Sequence, residues 1–146
     1  MNAKNTAILS LAALLLLSVA ACSLPGLPGL PGLPTADPLK GTSWRLVTIG
    51  GAGLVPGTQI TATFEDGQVH GQACNSYGGS YKVSGDKLTV DALFMTEMAC
   101  MDPPGIMEQE QRYLEILGMG QSFEVSSGKL QIFSAGGEVL TFLASS

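Results

Sequence analysis

Residues 81–90 read Tyr81-Lys82-Val83-Ser84-Gly85-Asp86-Lys87-Leu88-Thr89-Val90. Apolar side chains stand at 81 and 83 and again at 88 and 90, with a polar, Gly-centred break between them. Period-two alternation marks a strand with one buried face, and such a break between two runs marks a hairpin turn. The arrangement recurs on both sides. Trp44, Leu46 and Thr48 alternate with Arg45 and Val47, and Ile60, Ala62 and Phe64 alternate with Thr61 and Thr63. Downstream, Phe123 and Val125 precede Ser127-Gly128, Leu130 and Ile132 follow, and Leu140 and Phe142 come after Gly136-Gly137. Short strands joined by Gly-rich turns predict a mainly β domain, an antiparallel meander closed as a barrel or stacked as a sandwich.

One segment breaks this pattern. Asp102-Pro103-Pro104 reads as an N-cap followed by proline in the first turn, which predicts a helix over 103–118. Ile106, Tyr113, Leu114 and Leu117 fall on one face, while Glu108, Gln109, Gln111, Arg112 and Glu115 lie mostly elsewhere, and Gly118 is a natural stop. A single helix in a small β domain is expected to cover an open end or face that the sheet cannot bury alone.

Ahead of the domain, Lys4 is the only charge before Asp37, and Ala7 to Ala21 is an uncharged apolar run of 15 residues. That length suits a secretory signal and is short for a membrane span. Val19-Ala20-Ala21-Cys22 resembles the bacterial lipobox, so residues 1–21 are expected to be removed and Cys22 to carry the lipid. Several acyl chains on one cysteine give stable anchoring. By resemblance to enterobacterial lipoprotein sorting, Ser23 after the cysteine implies the outer membrane over retention in the cell membrane. Residues 24–34, LPGLPGLPGLP, place proline at every third position and favour extended polyproline II. Residues 22–38 therefore read as a lipidated cysteine and tether, and 39–146 as one folded domain facing the periplasm or the exterior. With 7 basic against 12 acidic residues and 6% aromatics, the chain is unsuited to neutralising nucleic-acid phosphates.

Two cysteines remain, Cys74 and Cys100. An even count in an oxidising compartment favours a disulfide. Two free thiols, or a thiol nucleophile paired with His70, are the alternatives; His70 lies in an alternating stretch where a solvated strand residue is expected. Met95, Met98 and Met101 recur every third residue around Cys100. Thioether clusters select Cu(I), whereas methionine beside a disulfide is more ordinarily a gap-filler. No G-x-S-x-G, H-E-x-x-H, Walker A or G-x-G-x-x-G motif occurs, and Asp91 and Glu97 lack a supporting His or Arg. No catalytic residue, metal ligand or cofactor is predicted.

Three motifs carry a family resemblance. Gly71-Gln72-Ala73-Cys74-Asn75-Ser76-Tyr77-Gly78-Gly79-Ser80-Tyr81 resembles the G-x-x-C-N-x-Y-x-G-x-Y signature of the META domain, the HslJ-like family of bacterial heat-shock proteins. Thr96-Glu97-Met98-Ala99-Cys100 is similar to that family's T-x-M-A-C segment, and Gly41-Thr42-Ser43-Trp44-Arg45-Leu46 to its G-T-x-W-x-L start. Ala73 stands where glycine is common. The resemblance implies a small antiparallel barrel of lipocalin-like topology with one inserted helix, and secreted or envelope-anchored members, some linked to stress or antibiotic tolerance. It implies no established catalysis. Trp44, Asn75, Gly79, Tyr81 and Thr96 then read as mainly structural signature residues. Asn75 is expected to bond nearby backbone or hold a left-handed turn.

The expectation is a monomeric, membrane-anchored binding or stress-tolerance module whose partner is another envelope component. One alternative is an inhibitor of a secreted lysozyme or protease, acting through an exposed Gly-rich loop at residues 50–58. The other is a carrier of copper or of a small apolar ligand inside the barrel.

Overall fold

A computed structural model describes residues 36–145. The predicted signal peptide, Cys22 and the Pro-rich tether lie outside the described residues. Within them the chain forms β1 (Thr42–Ile49), β2 (Ala52–Gly53), β3 (Thr61–Glu65), β4 (Gln68–Gln72), β5 (Ser76–Ser84), β6 (Lys87–Met95), α1 (Ile106–Gly118), β7 (Gly120–Ser126), β8 (Lys129–Ser134) and β9 (Val139–Ala144). Every neighbouring pair is antiparallel, and β1 pairs with β9 as well as β3, so eight strands close into an up-and-down barrel. The two-residue β2 is a flap added to the end of β1. The barrel reading is borne out, and closure removes the edges that a sandwich would leave open.

Inward side chains fill the interior. Leu46, Phe64, Tyr81, Leu130, Ile132 and Phe142 are among the buried residues of one continuous core. The alternation fails at two points. A register shift between Leu46 and Thr48 turns Ile49 inward in place of Thr48. Val125 is exposed because β7 registers with β6 only at Lys87–Ser122 and has no β6 neighbour beyond that point.

The helix begins later than the sequence predicts. Ile106 is its first residue, Asp102 is not its N-cap, and Gly105 takes the cap position at φ 88° without a side-chain bond. A proline disfavours helical geometry in the residue before it, so Pro104 holds Pro103 out of the helix. Gly118 closes α1 as expected, and an added Cβ there would press on Leu93.

The barrel has two unlike ends. At one, strands are joined by tight turns at Asp66-Gly67, Gly85-Asp86 and Ser127-Gly128. The chain also enters here. Leu39 is fully buried, and Asp37 accepts bonds from the Leu39 N–H (2.9 Å) and the Tyr81 hydroxyl (2.6 Å). The barrel therefore engages the chain from Asp37, just inside the stretch read as tether. At the other end lie the longer connections β1–β3, β4–β5, β6–β7 and β8–β9, and α1 is part of the third.

Candidate functional site

The helix-covered end gathers most of the residues that the signature singles out. Asn75, in the β4–β5 connection, is fully buried. Its Oδ1 accepts bonds from Thr96 Oγ1 (2.9 Å) and the Met98 N–H (2.7 Å). Its Nδ2 donates to Glu110 Oε2 (2.8 Å) and the Met98 carbonyl (3.3 Å), and its main-chain N–H donates to Glu110 Oε1 (2.6 Å). An amide offers two acceptor positions and two donors, and all four are used. Glu110 is 1% exposed. Burying a carboxylate is costly unless its oxygens are bonded, and here two donors from one asparagine satisfy it. The Cys74–Cys100 disulfide, with Cα atoms 6.2 Å apart, fastens the same segment beside Asn75. It also takes both sulfurs out of thiol chemistry, and His70 is an exposed β4 residue.

Asn75 is not in the left-handed region, contrary to one reading of the sequence, and its side chain reaches residues 21 to 35 positions away. Ala73 is likewise outside the left-handed region, so its Cβ meets no backbone strain there. The signature glycines have steric reasons. A Cβ on Gly71 would lie 1.9 Å from the Thr61 carbonyl oxygen. Gly79 sits at a register shift in β5, where a Cβ would lie 2.9 Å from the Asp91 carbonyl oxygen.

A second buried pair lies alongside. Tyr77 donates to the Thr61 carbonyl (2.8 Å), so the 2.5 Å bond between the two hydroxyls is donated by Tyr113. Burial pushes both phenols above their ordinary pKa; the Tyr77 partner pushes Tyr113 further up, whereas the bond from Tyr113 partly offsets the shift of Tyr77. Trp44 and Tyr81 belong elsewhere. Trp44 Nε1 donates to Thr42 Oγ1 (2.7 Å) near the chain entry, and Tyr81 bonds Asp37 at the tight-turn end.

Three residues of α1 tie down the connections at this end. Gln109 accepts from the Val55 N–H (2.6 Å) and donates to Thr58 Oγ1 (3.0 Å), Glu110 holds Asn75, and Arg112 pairs with Glu138. The 50–58 segment is therefore no free projecting loop. Its first half is the β1–β2 hairpin and its second half is fastened to the helix. The sequence reading missed Glu110. The signal is its position four residues after Ile106 and three before Tyr113, a carboxylate on the apolar stripe.

The methionines are not gap-fillers. Met95, Met98 and Met101 are 44%, 55% and 85% exposed, because Asn75 and the disulfide hold their segment along the surface. Phe94 is 68% exposed, and its ring lies over Gly78, where a Cβ would come within 2.8 Å of it.

The comparisons with known proteins agree with this architecture. The family model of the META domain matches residues 37–146. An NMR structure of a protein from Burkholderia xenovorans is similar at 27% identity and TM-score 0.62, covering 84% of this chain and 99% of that one. A second NMR structure, at 24% identity and TM-score 0.59, covers 72% and 90%. A crystal structure of a DUF4847 family protein from Bacteroides vulgatus has the same fold at 14% identity and TM-score 0.53, covering 72% and 93%. No curated protein matches. Its family match spans the whole barrel, signature included, and the chain belongs to the META domain family.

Proposed function

We propose that this chain is a lipid-anchored envelope protein that works by binding, without catalysis, and that its recognition surface is the helix-covered end of the barrel. The observation that carries this reading is the placement of Phe94. The chain enters at the tight-turn end, whereas Phe94 stands exposed at the opposite end, on a segment fixed by the Asn75 bonds and the disulfide. A large apolar side chain held rigidly in solvent loses little freedom on docking, which favours a protein partner in the envelope. The lipobox-like Cys22 supplies the anchor. The inhibitor reading loses its free loop, because Gln109 holds residues 55–58.

The test uses the native membrane. A photo-crosslinking residue at position 94 is expected to trap a discrete envelope protein, and one at Lys129, at the other end, is not. Intact mass of the extracted protein is expected to show loss of residues 1–21 and acylation of Cys22, with Cys22→Ser releasing it from the membrane. Equal adducts from both positions, or an unmodified Cys22, would overturn the proposal.

A further inference from the structure

We infer that the surface cleft shared by Met95 and Met107, beside Cys74, is a binding site for a soft monovalent cation, Cu(I) or its analogue Ag(I). This goes beyond the proposed docking role and depends on neither anchor nor partner. Met95 and Met107 line one surface cleft of about 190 Å³ together with Glu108, Glu110 and Gln111. Met107 Sδ lies 3.6 Å from Cys74 Sγ, and the Met98 carbonyl lies 3.9 Å from that same sulfur. Two thioethers of different sequence context, Met95 on β6 and Met107 on α1, thus line one cleft, with Met107 against a disulfide sulfur. Met95 is 44% exposed and lies outside the buried core.

The donor set fixes the class of ion. Thioethers are neutral, polarisable ligands that favour Cu(I) over harder divalent ions. The disulfide leaves no thiolate to compete, and among the described residues no three His, Cys, Asp or Glu side chains gather to hold a metal. The exposed Glu108 carboxylate at the rim supplies the negative charge that a monovalent cation lacks from thioethers alone. The segment is also preorganised. Thr96 and Met98 are bonded to Asn75, Cys100 is covalently fixed, and Met107 rides on the first turn of α1, so binding orders few further groups.

The experiment uses protein purified as its host processes it, disulfide intact, labelled at the methionine methyl carbons and titrated with Ag(I), which neither oxidises nor reduces the site. One equivalent is expected to shift the Met95 and Met107 methyl resonances together and saturably, and Zn(II) is expected to leave them in place. Met95→Leu and Met107→Leu should each weaken Ag(I) binding at least about tenfold. Met101→Leu, which removes a thioether that does not line the cleft, should leave binding unchanged. Leucine is close to isosteric with methionine, and the exposed Met95 reads the site even where Met107→Leu disturbs the helix. Unsaturable shifts of all methionine methyls in parallel, or an equal loss in Met101→Leu and Met95→Leu, would overturn the inference.

Discussion

The two ends of the barrel are built on different principles. At the tight-turn end, strands reverse over two residues, and each turn is specified by its own sequence: Asp66-Gly67 and Ser127-Gly128 take positive φ at both positions, which suits the right-handed twist of a hairpin. At the helix-covered end, connections of three to more than twenty residues are held by one helix through bonds that span 35 positions (Asn75–Glu110) and 54 (Val55–Gln109). The difference teaches that this end is a cooperative unit. Its parts hold one another, and removing one polar group leaves others buried and unpaired.

The strongest way to break that comparison is to remove Asn75. Asn75→Ala deletes four side-chain bonds and strips Glu110 Oε2 of its donor inside the protein. Leaving a buried carboxylate half-paired should cost about 3–5 kcal/mol in urea unfolding. At the tight-turn end, Asp37→Ala removes the acceptor for Tyr81 and Leu39, at a site closer to solvent, and should cost about 1–2 kcal/mol. Equal losses would mean that the two ends are equally local.

Cutting the disulfide is the next largest change. Cys74 and Cys100 are 26 positions apart, and freeing a loop of that length by Cys74→Ala with Cys100→Ala should lower stability by about 3.5 kcal/mol. Hydrogen exchange sharpens the comparison. Amides of residues 96–100 are expected to lose protection, while those flanking the Gly85 and Gly128 turns keep theirs.

The same contrast explains what was legible in the sequence. The strands, the tight turns and the barrel follow from period two and from glycines that sit where their φ is positive, because those signals act over neighbouring residues. The bulge after Leu46 was not legible, since a register shift depends on the facing strand β9. The helix existed in the pattern, yet its start moved to Ile106 because two consecutive prolines act against helical geometry as much as for it. At the helix-covered end the signature residues Cys74, Asn75, Thr96 and Cys100 do meet. Glu110, the group that makes Asn75 indispensable, left only one trace, a carboxylate on an apolar stripe. Its partner lies 35 residues away and no local rule names it.

Alkaline pH separates the ends by proton linkage. Burial raises the phenol pKa of Tyr77 and Tyr113 at the helix-covered end, and burial with the Asp37 bond raises that of Tyr81 at the other. A raised folded-state value means that the folded protein keeps protons which the unfolded chain releases above about pH 10. Stability is therefore full below about pH 10 and declines as pH rises further, by up to about 1.4 kcal/mol per pH unit for each of Tyr77 and Tyr113 and by less for Tyr81, whose hydroxyl is nearer solvent. Replacing Tyr77 and Tyr113 together by Phe should remove most of that slope, and Tyr81→Phe a smaller part, when urea midpoints are followed between pH 9 and 12. A slope unchanged in the double variant would show that the helix-covered end opens before its tyrosines ionise.

The smallest effect is expected from the most visible contact. Arg112 pairs with Glu138 across the helix-covered end, and Lys40 with Asp66 across the other, but Glu138 is partly exposed and the other three side chains are well exposed. Arg112→Ala should cost at most about 1 kcal/mol, and roughly 0.5 M salt should erase most of it, because exposed ion pairs are solvated and screened. Lys40→Ala should likewise leave the unfolding midpoint close to wild type. If both hold, surface charge does not distinguish the ends. A large loss in Arg112→Ala alone would instead place the β8–β9 connection inside the cooperative unit, held through Glu138 as firmly as Asn75 is held through Glu110.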